Sequence, residues 1–210
     1  MKLTSESKFL LGILIATVTV IAGAIFLFSK PTPTVTIPKE TLVPAGAHTK
    51  GNPNASVYLV EFSDFQCPAC AAFAPAVAVL TEKYKDQLFF AYRHFPLPKH
   101  EFAARAAQAA EAAAKQGKFW EAVDVLFTNQ DKFSKEFFSS QFVKLVSLDP
   151  TQYAKDVASK VVTDRVASDA SAARSFNLPG TPTFFLNGRK LTNIQNLDQF
   201  QQIIETEIGK

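Results

Sequence analysis

Two thiols, Cys67 and Cys70, stand in the stretch Glu61-Phe62-Ser63-Asp64-Phe65-Gln66-Cys67-Pro68-Ala69-Cys70, and the chain of 210 residues holds no other cysteine. A pair at this spacing can exchange with a disulfide or supply half of a metal site. What precedes and follows it favours the first chemistry. The run Val57-Tyr58-Leu59-Val60 reads as a buried strand, and Pro68 fits the first turn of a helix, where its missing N–H costs nothing. Ala69 to Tyr84 then carry the Ala, Val and Leu of a packed helix. A strand therefore delivers Cys67 to a helix N-terminus, whose free N–H groups and macrodipole favour a thiolate.

Two other readings compete. A structural zinc needs four ligands, and the remaining candidates, His48, His94 and His100, are not spaced as a partner pair, so no metal is expected. Buried cysteines also serve as plain core residues, but a proline between them and a helix start directly after are unnatural for that role. His94 and His100 read as structural or surface histidines, and the Phe and Trp residues of the middle of the chain as core.

The net charge of +3 comes without a Lys/Arg cluster, which leaves nucleic-acid binding unsupported. From Phe9 to Phe28 run twenty uncharged, mostly apolar residues, about 30 Å as a helix and enough to cross a bilayer core. Lys2, Lys8 and the amino terminus place residues 1–8 on the cytoplasmic side, although Glu6 and Lys30 weaken the asymmetry. Ala22-Gly23-Ala24 matches a signal-peptidase pattern. The apolar run continues past it through Ile25-Phe26-Leu27-Phe28, so residues 9–28 are expected to be an uncleaved single-pass anchor in the cell membrane. Everything beyond is then extracytoplasmic. Residues 29–47, with Pro31, Pro33, Pro38 and Pro44, read as a semi-rigid linker; residues 48–210 are left for one domain. With no third cysteine there is no structural disulfide, and an exported domain with one dithiol is better explained by a working pair than by a staple.

After the cysteines, Gln87 to Phe95 reads as a second strand. His100 to Gln116 predicts an alanine-rich helix ended by Gly117, and Phe119 to Phe127 another. Ser134 is placed to cap a third, carrying Phe137, Phe138, Phe142 and Leu145, and Asp149-Pro150 to open a fourth running to about Phe176. Residues 177–183 break the helix. Thr183 to Leu186 is a strand, Asn187-Gly188 a hairpin turn, Arg189 to Leu191 its partner, and Leu197 to Ile208 an amphipathic helix.

With Cys67-Pro68-Ala69-Cys70 and Gly180-Thr181-Pro182-Thr183 in this order, the chain resembles the DsbA-like branch of the thioredoxin superfamily over nearly everything from Gly51 onward. The resemblance implies an α/β thioredoxin fold with an all-helical insertion at about 97–176. It implies Cys67 as the exposed nucleophile, Cys70 as its buried partner, and Glu61 as a buried acid assisting proton movement at Cys70. Read alone, Glu61 is a surface-facing charge, though Val57 and Leu59 share its face by strand alternation. Pro182 corresponds to the cis-proline lying against the dithiol, and Thr181 beside it would contact an extended substrate peptide by strand addition. The activity implied is thiol–disulfide oxidoreduction on exported protein or peptide thiols, with a membrane redox partner and no cofactor beyond the Cys67–Cys70 disulfide itself. Pro68 and Ala69 would tune the potential. Strongly oxidising members carry His between the cysteines, and alanine cannot donate to a thiolate, so a milder oxidant is expected. Oxidation of substrates leads; a reductase or isomerase fed by a membrane donor, or a peptide-holding module without turnover, are the alternatives.

Overall fold

The structure, a computed structural model, describes the backbone of residues 5–28, 36–194 and 196–209, and the side chains of all of these except 5–11 and 24–28. It divides into two units, Met1–Val35 and Thr36–Lys210. The first contains helix α1 (Ser5–Phe28) of 24 residues. Within it, Thr17 and Thr19 turn their hydroxyls back to the carbonyls of Ile13 and Ile15 at 2.8 Å, which removes them as bare polar groups on an apolar helix. The flanks of the expected anchor, residues 9–11 and 24–28, lie outside the side chains described. Among the described residues no helix is long and apolar enough to cross a membrane.

The second unit is built on a five-stranded sheet of order β1-β3-β2-β4-β5. The strands are β1 (His48–Gly51), β2 (Val57–Ser63), β3 (Leu88–His94), β4 (Thr183–Leu186) and β5 (Arg189–Lys190). Central β2 runs parallel to β3, with Glu61 opposite Tyr92, and antiparallel to β4, with Glu61 opposite Phe184. Both faces of β2 and β3 are covered, which is why these strands read as continuous apolar runs rather than alternating ones. One face sends Leu59, Phe90, Tyr92 and Phe184 into a core shared with the inserted helices; the other sends Val60, Phe62, Ala91 and Phe185 against Ala170, Ala173 and Leu42.

Helix α2 (Lys39–Leu42) precedes β1, and α3 (Pro68–Lys83) joins β2 to β3. The insertion between β3 and β4 holds α4 (Ala103–Ala114), α5 (Phe119–Thr128), α6 (Phe142–Leu145), α7 (Pro150–Asp156) and α8 (Lys160–Ser175), and α9 (Leu197–Ile208) closes the chain. Asn187 and Gly188 adopt φ of 48° and 79°, the left-handed pair that a two-residue hairpin needs.

Four expectations are corrected. The domain begins at Thr36, so residues 36–47 are not linker: Thr36 bridges Arg189, the Ile37 N–H donates to the Gly188 carbonyl at 2.9 Å, and Leu42 is fully buried. The helix expected over 149–176 is two, because Ser159 takes an extended conformation and caps α8 by accepting from the Val162 N–H at 3.4 Å. Ser134 does accept from the Phe137 N–H at 3.0 Å, but a π-turn, Phe137–Gln141, follows. That wider turn rotates what comes after it. Phe137, Phe138 and Phe142 all go inward, while Leu145 is left 54% exposed rather than in the core. Finally, β5 stops at Lys190, one residue short of the expected partner strand.

Two buried polar clusters tie the insertion to the sheet. Asp169 of α8 accepts from Arg93 Nε at 2.7 Å and from the His94 N–H at 3.1 Å. One carboxylate oxygen of Glu111, in α4, lies 2.9 Å from Nε2 of both His48 and His94. Burial alone would raise the Glu111 pKa, but the two imidazoles more than reverse this and hold it well below the usual carboxylate range.

Candidate active site

Strand β2 ends at Ser63, and the next four residues aim the dithiol. Asp64 is 2% exposed. Its Oδ1 accepts from the Gln66 N–H at 2.7 Å, closing an Asx turn, and its carbonyl accepts from the Cys67 N–H at 3.0 Å. Its Oδ2 takes the Leu97 N–H at 2.9 Å and His100 Nδ1 at 2.8 Å. From the insertion, Gln130 Nε2 donates to the carbonyls of Phe65 and Cys67 at 2.7 and 3.1 Å. The Cys67 loop is thus gripped through its carbonyls, its amides and a buried acid. Sequence reading missed Asp64 and Gln130. The Asx pattern at Asp64 was available as a signal; nothing local marks Gln130, whose partners lie over sixty residues away. His100 is structural, as its type and position suggested.

Cys67 is the N-cap of α3, in extended conformation with φ −78° and ψ 120°, and Pro68 takes the first helical position. The Cys70 thiol, the Thr181 side chain and the N–H groups of Cys70 and Ala69 all favour its anion, and together they outweigh burial to bring its pKa down to about 5. As a thiol it donates to the Thr181 carbonyl at 3.3 Å. The peptide bond between Thr181 and Pro182 is cis, and the Thr181 side chain, its hydroxyl buried, lies beside the sulfur and favours its thiolate. Cys67 keeps 7% of its surface and Cys70 none, so an incoming sulfur can reach only the first. Burial pushes the Cys70 thiol far up, and its bond to Cys67 and the charge of Glu61 add to this. Pro68 and Ala69 are exposed at the helix start.

Glu61 lies inside, at 3% exposure. The resemblance's buried acid is therefore in place, and the surface-facing reading fails because α3 and α5 cover that face of β2. Burial lifts its pKa to about 7. Its Oε1 has no protein partner, yet it lines an apolar cavity of about 260 Å³ with Ala74, Tyr92 and Trp120, room enough for water. The structure thus gathers Cys67, Cys70, Glu61, Thr181 and Pro182 into one site. Chemically the site can hold one sulfur as an anion, keep the other protonated, and pass a proton between Cys70 and a carboxyl poised near neutrality.

The Glu61 carboxyl should be visible in stability. Folded at about 7 and unfolded near 4.3, it binds more protons in the native state between those values. Its contribution is therefore complete below about pH 4.3 and is lost as pH rises through 7. The difference, about 2.7 pKa units at 1.36 kcal/mol each, amounts to about 4 kcal/mol. Urea unfolding of the reduced chain at pH 5 and pH 8 should show Glu61→Gln gaining most of this relative to the parent at the higher pH. An equal gap at both would mean that Glu61 ionises without cost.

Comparison with known proteins agrees with this geometry. A family model described as thioredoxin matches residues 44–206. Among solved structures, the thiol-disulfide exchange protein alpha-DsbA2 from Wolbachia pipientis superposes with a TM-score of 0.70 at 18% identity, over 80% of this chain and 91% of that one. Oxidised BdbD from Bacillus subtilis gives 0.68 at 22%, over 85% and 100%. A thioredoxin-like oxidoreductase from Silicibacter pomeroyi gives 0.66 at 25%, over 83% and 99%. At these identities the likeness is one of fold. Curated relatives are more similar in sequence: a Na(+)/H(+) antiporter NhaA 1 of Mycolicibacterium gilvum is 39% identical over 150 residues, 70% of this chain but 24% of its own. The chain spans about a quarter of the length of that relative and of the NhaA 3 of Salinispora tropica, where the share is 23%. The chain belongs to the thioredoxin family, and it shares its fold with the solved structures just named.

Proposed function

We propose that the chain oxidises thiols of exported proteins through the Cys67–Cys70 disulfide. The observation that carries this is the asymmetry of the pair: a reachable sulfur held as an anion at a helix N-terminus, three residues before a buried thiol with a protonatable acid behind it. A substrate thiolate attacks Cys67 Sγ, forming the mixed disulfide and breaking the Cys67–Cys70 bond. Cys70 leaves as a thiolate and takes the proton of Glu61, which is available near neutral pH. A second substrate thiolate then attacks the substrate sulfur of the mixed disulfide, and Cys67 departs as the stabilised thiolate. The substrate loses two electrons and two thiol protons, and the enzyme dithiol gains the electrons. Both substrate protons pass to solvent, and Glu61 regains from solvent the one it gave to Cys70. The backbone beside Pro182 would hold the substrate as an added strand. Reoxidation calls for an electron acceptor, which we place in the membrane. The apolar run 9–28 within α1 supports anchoring there, with the domain on the extracytoplasmic side. The presence of related segments within proteins named as antiporters is in keeping with a membrane setting.

Cys67→Ser should reduce oxidation of a reduced dithiol peptide to the uncatalysed rate. Cys70→Ser should still be attacked and accumulate a mixed disulfide at Cys67, visible by mass. Undiminished turnover in Cys67→Ser would remove the proposal, and unchanged peptide capture without turnover in both variants would favour a holding module.

A thiolate near pKa 5 stabilises the reduced form and makes the disulfide oxidising, though short of the lowest thiol values, about 3.5. Ala69→His should add a donor, lowering the Cys67 pKa and raising the reduction potential together, ~30 mV for each tenfold in the equilibrium constant. Thiolate absorbance and glutathione equilibration read both. If neither moves, the exposed dipeptide does not tune this site; a parent potential near that of thioredoxin, about −270 mV, would make the reductase direction correct.

For the anchor, protein from its native host should stay with membranes through a high-salt wash and keep the residues before Phe9. A soluble product beginning near Ile25 would establish cleavage.

A further inference from the structure

Away from the dithiol, three ligand-type side chains converge from three elements. His48 of β1, His94 at the end of β3 and Glu111 of α4 place one ligating atom each within 4.8 Å of one another. Linear spacing hides them, since Glu111 lies 63 residues from His48 and 17 from His94. All three are fixed before any ligand arrives. The Phe119 ring stacks on His48 at 3.5 Å between centroids, and Tyr92 and Phe119 set their edges against His94 at 5.3 and 5.9 Å. His94 and Glu111 are buried, while His48 stays partly open. A cavity lined by Gly46, Glu111, Lys115 and Arg165 reaches the carboxylate from outside.

We propose that His48 Nε2, His94 Nε2 and the Glu111 carboxylate form a divalent transition-metal site of the zinc type. Two imidazoles and one carboxylate are a borderline donor set suited to Zn²⁺, and three protein ligands leave the fourth tetrahedral position to water. At metal–ligand distances of about 2.0–2.2 Å, tetrahedral donors sit roughly 3.4 Å apart. The two 2.9 Å contacts to Glu111 therefore need to open by only a few tenths of an ångström. The ion takes the place of the Nε2 protons that the imidazoles now share with Glu111, and each neutral ring then carries its one proton on Nδ1. One feature opposes it. Arg165 Nε lies 3.7 Å from the same Glu111 oxygen, although Asp169 draws the other end of the guanidinium aside at 3.4 Å. A bound ion would cross-link the sheet to the first helix of the insertion, and so stabilise the native state by mass action.

The test uses the chain with Cys67 and Cys70 oxidised to the disulfide, so that neither offers a thiolate. Titration with Co²⁺ should saturate at one equivalent with the visible bands of a tetrahedral N/O site and no sulfur charge-transfer band, and Zn²⁺ should displace it and raise the melting temperature. His48→Asn should weaken binding at least tenfold, and Glu111→Gln likewise. Arg165→Gln, which removes the competing cation and no donor, should tighten it. Should Glu111→Gln fail to fold, His48→Asn at the partly open edge and Arg165→Gln still decide. No saturable Co²⁺ spectrum, or one that survives His48→Asn unchanged, overturns the site and leaves the trio as a hydrogen-bonded clasp.

Discussion

A sulfur anion at the edge of a dry interior is the constraint on which the second unit is organised. The N-terminus of α3 supplies the stabilising N–H groups, and it can do so only if β2 ends where the helix begins, with Pro68 at its first position. Three residues further, the opposite condition must hold, because Cys70 has to remain a thiol until a mixed disulfide forms. Burial achieves that, and the same burial lifts Glu61 to about 7. One helix turn thus separates a site where charge is favoured from one where it is excluded. The helical insertion makes the second condition possible: the face of β2 that carries Glu61 would be wet without it.

Keeping the insertion in register falls to buried charges rather than to apolar packing alone. The rings of Phe133, Phe137, Phe138 and Phe142 contribute area and ring geometry, but aromatic cores tolerate sliding. The Arg93–Asp169 pair does not, because displacing either partner strands a buried charge at a cost of about 3–5 kcal/mol. Asp169 also takes the His94 N–H, so α8 is fixed to the end of β3 at one residue. Gln130 applies the same logic at the dithiol, where two carbonyls of the loop, those of Phe65 and Cys67, are satisfied by one side chain from beyond α5.

What could be read from the chain beforehand was what obeys local rules. Proline after Cys67 marks a helix start and Asn187-Gly188 marks a hairpin, because backbone chemistry confines each to few conformations; the cis bond at Thr181-Pro182 followed from the family resemblance, since most X–Pro bonds are trans. Strand β1 was not legible: His48-Thr49-Lys50-Gly51 is a short edge strand with half of its residues exposed, and its pairing with β3 is what makes it a strand. The break before Ser159 was hidden because Val157 and Ala158 continue a helical pattern without Gly or Pro. The π-turn at Phe137 was hidden because two adjacent phenylalanines fit an ordinary helix, and only the packing of both inward forces the wider turn. Gln130, and the meeting of His48 with Glu111, are products of topology and have no local signature.

The tuning residues sit apart from all of this. Pro68 and Ala69 are exposed, outside both cores and outside the hydrogen bonds that hold the loop, so their side chains can change without disturbing Asp64, Gln130 or Glu61. The Cys67 pKa near 5 arises without a histidine between the cysteines, from the Cys70 thiol, the Thr181 side chain and two helix amides. Those donors belong to the fold and are fixed with it. An added donor at position 69 would act on top of them, through solvent-facing space, and would favour only the thiolate state. Redox potential can thus be adjusted at the surface of the helix start, while the capacity to form the thiolate at all is set by the junction of β2 with α3.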